Sequence, residues 1–473
     1  MKLWMALAAA VLACAQVSAA DLRDGLNSYE SKDYALAFGI LAPLAELGNP
    51  RAQFAVSRLL LDGKGIDKDV VRGVGWLIAA AENGSPDASG VLAAESAKRT
   101  DAQKSEAQLF AARYGREATA LLNALPTGAG VVDGFKPPQV TPGLEKNTEL
   151  QRGMALVMAQ SGWMFTDVIC VVDAEGQVRD AFIVDSQPTR NISQLLVEAL
   201  HGIRWTPAQS AQGPVPGAML MSVHYMFQQT NAARQLRNNI LRLKREAQDG
   251  DDASQYVLSK LEHYFKELPG GDIDADALLS KAAAQGRHAR AMHAQAIKES
   301  KDTVNPAASD FSRLLEVGRA GLQPVQIEIA LAAWSEQTPA GYARARRWLA
   351  AARNGGGVEA NKYLAALLVA HPVKEAEDTK SALKLAGDAT TSWHGTKDPD
   401  AWQVLAAAQA KAGQFAEAIT AQQKAIDLAR GYGWTLTSLD RRLEAYRASR
   451  AILEDIVVIP MMARSGPITD PTS

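Results

Sequence analysis

Glycine recurs along this chain at a spacing that few folds can use. Gly48 and Gly84 stand 36 residues apart, and Gly250, Gly286, Gly321 and Gly356 follow one another at intervals of 36, 35 and 35. A repeat of that length holds two short helices and two turns, each glycine closing a helix where the backbone needs positive φ. Alanine clusters such as Ala79-Ala80-Ala81 let the paired helices approach closely. The alternative is an irregular helical bundle in which the glycines coincide by chance. At 473 residues the chain exceeds one compact core, and 47% hydrophobic but only 6% aromatic residues favour helix over sheet. The expected class is mainly α with a small α+β domain: an α-solenoid of helix-turn-helix pairs flanking a hairpin-helix-strand unit.

Residues 34–88 carry the fullest copy of the period: Tyr34, Ala37, Leu41, Gly48, Ala52-Gln53, Leu60, Gly63-Lys64-Gly65, Asp69, Trp76, Ala79-Ala80 and Gly84. This stretch resembles the Sel-one-like repeat family, with Gly73 where that family usually has alanine. Near the other end, Trp402, Leu405-Ala406, Gly413, Phe415, Ala418 and Ala425 resemble one tetratricopeptide repeat, with Gln409 and Gln422 where aromatic residues are common. A further helix over 436–446 would cap the array. Both resemblances imply surfaces that hold other polypeptides and seldom catalyse.

Between the repeats the pattern breaks. Pro126, Pro137, Pro138 and Pro142 mark a linker, and a helical stretch over 145–160 leads to strand-like runs at 163–172 and 177–184 around the turn Asp173-Ala174-Glu175-Gly176. An amphipathic segment at 192–202 follows, then Trp205-Thr206-Pro207-Ala208, Gly213-Pro214-Val215 and an alternating strand at 219–227. Trp205, Leu195 and Leu200 can cover the sheet, while Met221, Val223, Tyr225 and Phe227 share one strand face. These 65 or so residues resemble the carboxy-terminal domain of the TonB energy-transducer family. The resemblance implies a periplasmic domain that grips an extended segment of an outer-membrane receptor by adding it to the sheet edge. It does not carry the transducer role, because a clear membrane anchor and a long proline-rich spacer are missing.

The amino terminus has the form of a secretory signal: Lys2, an uncharged apolar run, and Ser18-Ala19-Ala20 before Asp21. An uncleaved anchor and lipidation at Cys14 are the competing readings. Removing the signal leaves Cys170 alone, in an apolar strand, where a buried inert thiol is expected. The expected organisation is a signal peptide (1–20), repeats (21–125), linker (126–142), TonB-like domain (143–229), repeats (230–395), tetratricopeptide-like pair with cap (396–448) and flexible tail (449–473).

Fifty basic against 52 acidic residues give a formal charge of −2, so no basic field exists to hold nucleic acid. His288 and His293 lie about 140° apart on a helix and are expected as solvated surface residues rather than a metal pair. His201 and His224 lack a third ligand in the sequence. With no phosphate-binding glycine motif, nucleophile elbow or spaced acid pair, neither a cofactor nor an activity is expected, and an envelope-remodelling enzyme has no motif to support it. The tail Glu454-Asp455-Ile456-Val457-Val458-Ile459-Pro460 is acidic, then β-branched, then closed by proline. It resembles the box that TonB-like domains bind, which implies pairing with the central domain of its own chain or of a neighbour; the alternative is a hydrophobic tail that docks on the last repeat or stays disordered. The function expected is a periplasmic interaction scaffold whose partners are proteins or extended peptides. An accessory role in TonB-dependent transport is the alternative.

Overall fold

The computed structural model describes residues 20–460 except 125–134, 141–142, 144–145, 189–191, 227–229, 266–267, 269–272, 300–307, 354–357, 371–375 and 393–394. A first helical array comprises α1 (Leu22–Glu30), α2 (Tyr34–Glu46), α3 (Pro50–Asp62), α4 (Val70–Glu82), α5 (Pro86–Ala97), α6 (Asp101–Ala111) and α7 (Arg116–Leu122). The central domain follows as α8 (Thr148–Ser161), β1 (Trp163–Val172), β2 (Val178–Gln187), α9 (Ser193–His201), β3 (Ala208–Ser210), β4 (Gly213–Val215) and β5 (Gly217–Met226). The second array begins with α10 (Thr230–Gln248), α11 (Asp252–Tyr264), α12 (Ala275–Ala284), α13 (Ala289–Glu299), α14 (Ala308–Arg319) and α15 (Gln323–Trp334). It continues through α16 (Pro339–Arg353), α17 (Val358–Ala370), α18 (Ala376–Thr391), α19 (Pro399–Lys411), α20 (Phe415–Gly431) and α21 (Thr437–Arg447). The mainly helical class with a small share of antiparallel sheet is as expected, the sheet being one three-stranded unit and the two-stranded pair β3-β4.

The glycine period has the physical cause read from it. Gly48, Gly84, Gly250, Gly286 and Gly321 all take positive φ, between 63° and 97°, at the turn between two helices. Gly356 lies outside the described residues. At three of these turns the next residue caps the second helix: Asn49, Ser85 and Asp251 each accept backbone N–H bonds from its first turn. A second signature accompanies the glycine. Gln53, Gln255 and Gln326, each five residues after it, donate through Nε2 to the carbonyls of Ala45, Ala247 and Gly318, tying the paired helices together beneath the turn.

The sheet has the order β2-β1-β5, antiparallel throughout, so β1 is central and β2 and β5 are edges. One face packs against α8 and α9 through Met164, Val168, Cys170, Leu196, Leu200, Trp205 and Met221. Leu200 and Trp205 thus take the covering places expected of them. Part of the expected linker belongs to this domain, since Lys136 and Gln139 exchange backbone hydrogen bonds with Gln209 and Thr206. Pro138 is buried, and an added Cβ on Gly217 would meet its ring at 3.1 Å.

The first array docks on the turn edge of the second. Leu22 N donates to Ala320 O at 2.8 Å, Asn49 Nδ2 donates to Arg319 O at 3.1 Å, and Arg23 pairs with Asp251 and Asp252 at 2.8 and 2.6 Å.

Candidate protein-interaction surface

Strand alternation gives the sheet a second face, and it carries charge: Asp180, Phe182, Val184 and Asp185 from β2, Asp167 from β1, Ser222 from β5. Three carboxylates on one face of a small sheet would repel one another unless opposed by cations. Alternate helices of the second array supply these, because a two-helix repeat turns every second helix to the same side.

Lys260 on α11 reaches Asp167 at 2.8 Å, and Asp167 also accepts from Tyr264 at 2.6 Å and Ser222 at 2.7 Å. Arg290 on α13 donates to Val184 O at 3.2 Å and lies 3.5 Å from Asp185. α15 packs on β2 directly. Lys362 on α17 bridges Asp180 at 2.7 Å and Asp398 at 2.7 Å, while Tyr363 donates to Asp180 and its ring packs on Phe182. On α19, Asp400 takes a two-pronged contact from Arg179, whose guanidinium lies 4.7 Å over Trp434. The inner side of the second array is therefore filled by the chain's own central domain.

The electrostatics follow from burial and the count of charges. Burial opposes ionisation of Asp167, but Lys260 and the hydroxyls of Tyr264 and Ser222 outweigh it and hold the carboxyl below its usual range. Burial opposes charge on Lys260 and Lys362 as well, yet their carboxylate partners keep both firmly protonated. Asp180 differs, because it and Asp398 share one ammonium. Burial, with the repulsion of Asp398, lifts Asp180 to about 6, whereas Lys362 and His201 keep Asp398 below its usual value against burial.

The two sheet edges are unlike. On β2, His201 Nδ1 donates to Val178 O at 2.8 Å and Arg290 covers Val184 O, so the array and α9 close that border. Among the described residues β5 pairs with β1 alone. The alternate residues read from the sequence do not project from this edge. Met221 (1% exposed) and Val223 (6%) are core residues against α8 and α9, Tyr225 packs partly on the same cluster, and Phe227 lies outside the described residues. Recognition at β5 therefore does not run through the side chains of Met221 and Val223, which leaves its backbone and its half-buried residues.

The tail residues do not pair with the sheet. Ile456 and Val457 are buried, Val458 and Ile459 half-buried and Asp455 exposed; none is in a strand, and Gln403 on α19 and Arg442 on α21 hold this segment by its carbonyls. Residues 449–460, expected as part of a flexible tail, are thus docked on the last helices.

Contrary to expectation, His288 and His293 are buried, at 4% and 5% exposure. Tyr256 packs against His288, and burial lowers its imidazole to about 4. His201 packs on Tyr432 and Trp434, whereas His224 stacks on Tyr264. Among the described residues no group of three His, Cys, Asp or Glu side chains could hold a metal ion. Cys170 is buried, and burial pushes its thiol up. No helix among the described residues is long and apolar enough to cross a membrane. The cations on α11, α13 and α17 escaped the sequence reading. Their spacing does not follow the glycine period, so nothing marked them as partners of β1 and β2.

The geometry defines a helical-repeat array folded around an embedded α+β domain. No family model matches the chain and no curated protein matches it. One solved structure, described as a protective antigen present in uropathogenic Escherichia coli strains and displaying an SLR fold, aligns over 92% of this chain and 87% of its own, with 14% identity and a TM-score of 0.31. The fold class stated above rests on this chain's own helix pairing.

Proposed function

We propose that the chain is a periplasmic scaffold that recruits other polypeptides through the edge of β5 that pairs with no other described strand. The observation that carries this reading is the contrast between the borders of the sheet: on β2, His201 and Arg290 cap the carbonyls of Val178 and Val184, while among the described residues β5 has a strand on one side only. An unpaired strand offers backbone donors and acceptors to an extended segment. The second array does not hold a separate partner on its inner side, since the sheet is already there. Export rests on the signal-like residues 1–20.

The resemblance of residues 163–227 to the TonB carboxy-terminal domain supports a narrower version, in which the edge takes receptor boxes and the protein serves or modulates TonB-dependent outer-membrane transport.

A photo-crosslinking residue placed at Ala218 of β5, and at Gln187 of β2 as a comparison, tests the edge in the intact protein. The reading expects capture of a discrete envelope protein from β5 only, mapping to an extended segment. Equal capture from both strands, or none from β5, contradicts it. Unchanged siderophore and sugar uptake after deletion would remove the transport version alone.

A further inference from the structure

After α21 the chain turns back through Ser449, at a φ of 53°, and crosses the last helices without regular structure. The contacts that hold it there go to its main chain. Tyr446 donates to Ile452 O at 3.3 Å, Arg442 Nη2 to Glu454 O and Asp455 O at 2.5 and 2.6 Å, and Gln403 Nε2 to Ile456 O at 2.5 Å. Ile456 (1% exposed) and Val457 then enter the same apolar cluster as Val404 and Ala407 of α19.

Arg442 gives this arrangement its meaning. It is 1% exposed, burial lowers its guanidinium, and its acceptors are carbonyl oxygens: Ser438 of its own helix and the two from the tail. Placing a cation so deep is costly unless acceptors arrive to meet it. Arginine and glutamine aimed at three successive carbonyls hold main chain that bends at residues 454–455, bringing two carbonyls to one guanidinium nitrogen, and the two β-branched side chains add apolar contact. The fit of the tail is incomplete. Gln403 Oε1 and Arg442 Nε are buried without a partner, and Asp455 sits at a φ of 51°, which a non-glycine residue adopts at a cost.

We propose that α19 and α21 form a main-chain-binding peptide site which residues 452–457 of this chain occupy in cis, and that a segment able to take the same bend, with a β-branched apolar pair after it and presented by a partner protein, takes their place. The site is separate from the β5 edge and stands whether or not that edge recruits anything. The tail acts as a built-in competitor, so peptides bind weakly until it leaves.

The test uses the full-length mature protein with a protease site inserted between Arg450 and Ala451, cut after folding, and a fluorescent peptide of residues 451–460. The cut protein, freed of its tail, is expected to bind the peptide at least about tenfold more tightly than the uncut protein does, by mass action against an intramolecular competitor. Arg442→Met should abolish that binding, and a peptide with glycine in place of Asp455 should bind roughly fivefold tighter, because the left-handed residue is no longer strained. Equal binding by cut and uncut protein, or none by folded cut protein, overturns the proposal. If cutting unfolds the molecule, the uncut protein decides. Excess glycine-bearing peptide should then speed amide exchange at Ile456 and Val457, and unchanged exchange overturns it.

Discussion

Lys362 neutralises only one of the two carboxylates it touches, and the surplus charge makes it the most consequential single residue at the sheet–array contact. Replacing it with methionine strands Asp180 and Asp398 in an interior that cannot solvate them, and should cost about 3–5 kcal/mol in urea unfolding. The same surplus sets a pH dependence. Asp180 is raised to about 6 from 3.8, so the folded state holds a proton that the unfolded state has lost in that window. Its contribution is fully present below about pH 4 and is lost as pH rises through 6. Asp21, raised to about 6 chiefly by burial, has the same sign. Unfolding free energies measured from pH 4 to 7.5 should show Asp180→Asn gaining on the wild type as pH rises; parallel curves would contradict this. Nothing in the sequence announces the residue, because its two partners lie 182 and 36 positions away.

At the scale of the helix pair, the glycine turns differ in what surrounds them. Gly321 has a φ of 97°, and an added Cβ would meet Asp21 Cα at 3.1 Å and Leu44 at 3.3 Å, whereas Gly413, at 79°, has nothing within 4 Å. Gly413→Ala should therefore cost about 1 kcal/mol, from backbone conformation alone. Gly321→Ala should cost more, and the excess should vanish if the first array is undocked; thermal denaturation of both variants checks this. Gln326→Leu, losing one buried tie to Gly318 O, should cost about 1 kcal/mol. The repeat was legible because positive φ leaves few residues but glycine, so spacing alone exposes it. The hairpin, the helix and the covering roles of Leu200 and Trp205 were legible for a similar reason, since alternation and turn chemistry are local. His288 was misread because it precedes its helix rather than lying on it: its Nδ1 accepts from Ala291 N, and Tyr256 of α11 and Arg23 of the first array close around it. Met221 and Val223 were correctly placed on one face. Which face met the helices, and which edge stayed open, depended on cations more than 30 residues away.

For the whole molecule, the arrangement of parts determines which surface is left to recruit a partner. An array of paired helices normally offers its inner side to another protein; here that side encloses a sheet from the same chain, held by Lys260, Arg290, Lys362 and Asp400. Sheet and second array should consequently unfold together, with tryptophan fluorescence and helical circular dichroism giving coincident urea transitions. On the proposed function, recruitment by the sheet is then left to β5. Residue-resolved amide hydrogen exchange of the protein tests this most directly. The account predicts that β2 exchanges only on global unfolding, while the outward amides of β5 exchange by local opening orders of magnitude sooner and slow when a captured partner segment is added. Equal protection of both edges in the free protein, or a β5 indifferent to that segment, would contradict it.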